Sequence, residues 1–145
     1  MKFNKYTNEE LEIRAKNIVD QRQKLDVELL LIFSEIKKRK IDLLAGYSGL
    51  YDYAERKLGL SKGQANKRKQ AVKTIEIAPE AIQLLKEGKT HVSNLALLAP
   101  KITSLNKSKI LAFLPSATKG KLSFFLETID KEGNTVSIEP KIDLI

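Results

Sequence analysis

At 145 residues, 42% hydrophobic and 30% charged, the chain has the size and balance of one soluble globular domain, not of a disordered or fibrous segment. It carries no cysteine and a single histidine, His91, which excludes disulfides, iron–sulfur ligation, cysteine nucleophiles and a His-rich zinc site. Twenty-six Lys and Arg against 18 Asp and Glu leave a net charge of +8, which points to an anionic partner.

The N-terminus, Met1 to Thr7, lacks the apolar stretch of a signal peptide, and the densest apolar run, Leu29 to Phe33, is far too short to cross a bilayer. A cytoplasmic protein with no membrane partner is expected. From Leu11 through Ala15, Ile18, Leu25, Leu29 and Ile32 to Ile36, apolar residues recur at helical spacing, with no Gly or Pro before Gly46. Thr7 and Glu10 form a capping box, so the helix should begin near Asn8. Arg22 interrupts the stripe, which leaves open one long helix to about Ile41 or two helices broken around Asp20 to Lys24, each burying the same face.

Gly46-Tyr47-Ser48-Gly49 reads as a loop, with Ser48 capping a short helix to Leu58 that Gly59 ends. Ser61 and Gln64 form a second capping box, opening a helix to about Ile77, ahead of Pro79. Short helices follow over Glu80 to Glu87, Val92 to Ala99, Ser104 to Leu114 and about Ala117 to Ile129, each punctuated by Gly or Pro. Thr135 to Glu139 alternates polar and apolar residues and fits a short strand or an extended tail. The expected architecture is all-α: a helical domain over residues 1–129 and a C-terminal tail over 130–145.

Half of the excess positive charge falls within residues 46–78, and no acid lies between Glu55 and Glu76. Helix, Gly59-Leu60-Ser61 turn and basic second helix over residues 48–77 have the layout of a helix-turn-helix, in which the second helix enters a major groove. Projection at 100° per residue sets Ala65, Ala71, Val72 and Ile75 opposite Asn66, Lys67, Gln70, Lys73 and Thr74. Asn and Gln pair with adenine, and Lys meets phosphate or guanine. Lys62, Asn66, Lys67, Arg68, Lys69, Gln70, Lys73 and Thr74 are therefore the candidate DNA-binding residues. Two features depart from the usual motif: Arg68 and Lys69 stand where apolar residues are the rule, and Ala54 lies one residue too far from Gly59.

Other signals are weaker. Gly88-Lys89-Thr90 resembles the end of a P-loop, but Gln83 occupies the position of its first glycine. Three Ser-x-x-Lys matches, beginning at Ser34, Ser104 and Ser116, are what chance produces in a lysine-rich chain. Tyr47, Tyr51 and Tyr53 read as packing residues and His91 as a structural residue at a helix entry, capping or half-buried. No carboxylate cluster suggests a metal, so no cofactor and no enzymatic activity are expected.

The run Gly46-Tyr47-Ser48-Gly49-Leu50-Tyr51-Asp52-Tyr53, then Leu58-Gly59-Leu60-Ser61, Ala65 and Arg68, then Gly88-Lys89-Thr90-His91-Val92-Ser93 with Leu97 to Pro100 and Thr103, resembles the helical N-terminal region of bacterial HNH endonucleases. Gly49 stands where serine is more usual, and the C-terminal HNH nuclease block has no counterpart. The resemblance, over roughly residues 10–127, implies a helical fold and a recognition or positioning role on DNA in a bacterial setting, and carries over no cleavage. The expected function is thus a non-catalytic DNA-binding module. The alternative is a helical interaction domain that pairs with a partner protein or a second copy through the stripe from Leu11 to Ile36.

Overall fold

A computed structural model describes residues 2–136, and within them the fold is all-α, with eight α-helices and no strand. The first, α1, spans Asn8–Lys38 without a break. Thr7 caps it, its hydroxyl accepting the Glu10 N–H at 3.1 Å, and Glu9 and Glu10 at the start and Lys37 and Lys38 at the end complement the helix dipole. Arg22 therefore sits inside one continuous helix about 46 Å long.

The face that α1 buries takes in only the edge of the apolar stripe, where Leu29 and Ile36 pack partly against the core. Val27, Leu30 and Phe33 enter the core, whereas Leu11, Ile18, Leu25 and Ile32 are exposed. Two causes act: every residue from Asn8 to Arg22 is exposed, because the rest of the fold packs on the second half of the helix, and within that half Leu25 and Ile32 point away from the side of Val27 and Leu30.

Lys40, in the left-handed conformation at φ 58°, ends the first helix and starts α2 (Ile41–Leu44). The short helix expected from Ser48 is α3 (Leu50–Asp52) running directly into a π-helical turn, Tyr53–Lys57, where the Leu58 N–H bonds to the Tyr53 carbonyl at 3.2 Å. Ser48 does not cap it with its hydroxyl. Instead its backbone N–H donates to Asp52 Oδ2 at 2.9 Å.

Gly59, at φ 76°, closes this unit, and α4 (Lys62–Ile77) opens on Ser61, whose hydroxyl accepts the Gln64 N–H at 3.2 Å. Helix α4 is the centre of the molecule, packed against α1, α3 and, most extensively, α6. Ala65, Ala71, Val72 and Ile75 of α4 and Leu95 and Leu98 of α6 are buried in the same core.

Helices α5 (Ala81–Lys86), α6 (Val92–Leu98), α7 (Lys107–Phe113) and α8 (Lys119–Glu127) complete the domain. Helix α7 starts three residues later than Ser104, because Thr103 and Asn106 cap each other first: the Thr103 N–H donates to Asn106 Oδ1 and the Asn106 N–H to Thr103 Oγ1. Helix α8 begins at the Thr118 cap, with Gly120 harmlessly in its first turn.

The first residues after α8 lie against the helices. Asn106 Nδ2 donates to the Asp130 carbonyl and Thr103 Oγ1 to that of Lys131, while Ile129 and Thr135 form an isolated antiparallel bridge, so residues 130–136 are stitched to the helical body. The remainder of the expected strand, Ser137 to Glu139, lies outside the described residues.

Candidate nucleic-acid interface

The segment from Tyr47 to Gly59 packs on α4 and positions it. Leu50 and Ala54 are buried, and α3 packs on α4. The π turn lengthens the step from Ala54 to Gly59 by one residue without displacing Ala54 from the core, which accommodates the longer spacing noted in the sequence. Around it, Tyr47 and Tyr53 meet edge to face at 5.5 Å, Arg56 lies over the Tyr47 ring, and Tyr51 packs against the core. Asp52 anchors the loop: the Ser48 backbone N–H, with Arg56 alongside, holds its carboxyl below the usual carboxylate value.

On the outward face of α4, Lys62, Asn66 and Lys73 are exposed and Lys69 and Gln70 half-buried. These five fall within roughly 100° of arc on a helical projection and cover about 16 Å of helix axis. Among the described residues none of Lys62, Lys67, Lys69 and Lys73 forms an ion pair. The one acid of the helix, Glu76, is paired at 2.8 Å with Lys37 at the end of α1.

Three of the sequence-derived candidates stand apart from this face. Arg68 is buried between α4 and α1, where one guanidinium nitrogen bonds Asp26 at 3.1 Å and another bonds both the backbone and the side-chain oxygen of Gln64. Thr74 is fully buried and donates to the Leu95 carbonyl at 2.6 Å, tying α4 to α6. Both are interior residues, their polar groups turned to partners within the fold. Lys67 is exposed but turns away, lining a 460 Å³ groove with Lys16, Arg22, Asp26 and His91. His91 occupies the N-cap position of α6 without a side-chain cap bond and is exposed, neither capping nor half-buried.

The fold adds residues that the projection of a single helix missed. A second groove of 420 Å³ brings Lys37 and Lys40, from the corner between α1 and α2, beside Lys69 and Lys73. Lys40 is exposed and forms no ion pair among the described residues. The sequence signal was present in the run Lys37-Lys38-Arg39-Lys40, but nothing local says that this corner abuts α4. Asp42 is nearly fully buried in this groove, and its Oδ1 has no hydrogen-bond partner.

Chemically, the outward face offers point cations for phosphate and two side-chain amides for base edges, with no acid from Lys62 to Lys73; Glu76, neutralised by Lys37, and the buried Asp42 border it. Among the described residues no group of three or more His, Asp or Glu side chains is arranged to hold a metal ion. No helix there is long and apolar enough to cross a membrane. No protein-family model, no curated protein and no solved structure matches this chain.

Proposed function

We propose that this protein is a non-catalytic DNA-binding module of bacterial origin that docks the outward face of α4 on a duplex, in the manner of the recognition region that precedes the nuclease in HNH endonucleases. The observation that carries the reading is the row Lys62, Asn66, Lys69, Gln70 and Lys73, unopposed by acid along the face of a helix that the core holds on its other side. Lys62, Lys69 and Lys73, with Lys40 at the flank, take the phosphates, and Asn66 and Gln70 face base edges.

The test is duplex binding by fluorescence anisotropy across a salt series. About four to five lysine–phosphate contacts give a log–log slope of roughly −4, from release of condensed counterions. Lys73→Ala weakens binding to every duplex and flattens the slope by about one unit, whereas Gln70→Ala costs about 1–3 kcal/mol at a preferred sequence alone. Charge reversal of Lys86 and Lys89, on and after α5, is the control. If that reversal weakens binding as much as reversal of Lys69 and Lys73, a diffuse positive surface replaces α4 as the binding face.

A further inference from the structure

Helix α1 carries two apolar faces, and the core uses one of them and only the edge of the other, at Leu29 and Ile36. Leu11, Ile18, Leu25 and Ile32 lie seven residues apart and are 39, 62, 64 and 48% exposed. Four residues after each come Ala15, Arg22, Leu29 and Ile36, so the seam alternates steps of four and three, the heptad pattern of a coiled coil with the first set at d and the second at a. This seam lies roughly 120° around the helix from Val27, Leu30 and Phe33. The body leaves it open from Leu11 to Leu25 and at Ile32, while Leu29 and Ile36 rest partly against the core.

From Asn8 to Arg22 the helix has no buried residue on any side. Unsupported helices of that length are marginal in water. A long helix with an uncovered heptad seam gains its missing contacts from another helix, and the flanking charges specify which. With two copies antiparallel, Leu11 falls level with the partner's Ile36 and Arg22 with the partner's Leu25. The flanking g positions then match Arg14 with the partner's Glu35 and Gln21 with the partner's Glu28, twice over by symmetry. A parallel pair instead stacks Arg22 on the partner's Arg22 and sets Arg14 beside the partner's apolar Val19 in place of Glu35.

We infer that α1 is the dimerisation element of this protein, forming an antiparallel two-helix coiled coil with α1 of a second copy. The inference is independent of the DNA reading, since none of the seam residues lies on α4.

Sedimentation equilibrium of the full chain, from low micromolar to hundreds of micromolar, tests it. The expected result is a monomer–dimer equilibrium with the dimer at twice the chain mass of 16.3 kDa. Ile18→Glu, which touches no core residue, raises the dissociation constant at least about 100-fold, because a carboxylate enters the apolar seam twice. Arg22→Leu tightens the dimer by removing the one polar residue of the seam. A spin label at Ile13→Cys, exposed and outside the seam, reports orientation: antiparallel pairing offsets the two labels by roughly 32 Å along the axis. A monomer at every concentration, an assembly larger than a dimer, or a dimer indifferent to Ile18→Glu overturns the proposal. A label separation under about 25 Å overturns the antiparallel register.

Discussion

Arg68→Ala separates the interior role of this residue from a DNA-contacting one. The guanidinium is about nine-tenths covered, its side chain only 10% exposed, and it bridges α4 to Asp26 on α1 while bonding Gln64 twice. Removing one member of a fully buried ion pair costs about 3–5 kcal/mol, chiefly because the other charge is left unpaired. Asp26 is 30% exposed and keeps part of its hydration, which lowers the expected loss to about 2–3 kcal/mol. For a domain of this length that is a fall in Tm of about 8 °C.

Urea unfolding followed by circular dichroism measures the loss, and a double-mutant cycle with Asp26→Asn should return a coupling of about 1 kcal/mol or more. Arg68→Lys restores only part of it, because an ammonium cannot reproduce the two-pronged geometry. An Arg68→Ala protein that melts within a degree of the parent while losing DNA affinity would refute the interior placement.

Thr74→Val keeps the shape of a fully buried side chain but removes its bond to the Leu95 carbonyl, so chemical denaturation should show a loss of about 1–2 kcal/mol with duplex affinity per folded molecule unchanged. Gly133→Ala is expected to destabilise by about 1–2 kcal/mol, read as a lower Tm, since a Cβ there meets the Leu105 carbonyl at 3.3 Å on a backbone at φ 91°. The Asp52 carboxyl is held below its ordinary value of 3.8, so its stabilisation is fully present above that value and disappears as the pH falls through the folded one. Asp52→Asn should therefore flatten the acid limb of the Tm–pH curve, and an NMR titration of Asp52 that returns the ordinary value would contradict the Ser48 hydrogen bond.

Helix boundaries were legible because they are local chemistry. Thr7, Ser61, Gly59 and Gly88 mark their ends through side-chain caps and left-handed backbone, and each operates within four residues of itself. The burial of Arg68 was not legible, since its partner Asp26 is 42 positions away and a helical projection contains no neighbours. Thr74 is the same case: its position on the polar side of the projection is real, yet α6 comes to lie there. The stripe on α1 misled in the opposite direction, because hydrophobic periodicity reports that a face avoids water without reporting what covers it. The candidate site was accordingly readable as a composition, a basic segment free of acid, while its outline needed Lys37 and Lys40 from another part of the fold.

The π turn at Tyr53–Lys57 bears on how this segment tolerates changes in chain length. A deletion inside an ordinary α-helix rotates everything beyond it by about 100° and pulls the next apolar residue off the core. Here the surplus residue is already set aside in one wide turn, with Ala54 buried inside it and Gly59 in place after it. Removing Arg56, exposed within that turn, allows the backbone to relax to the regular α-helical bond while Leu50, Ala54 and α4 keep their register. The segment therefore has a spare residue, and shortening it by one should leave a folded protein with a more regular helix, whereas the same deletion at Lys73 dismantles the packing of α4 on α6.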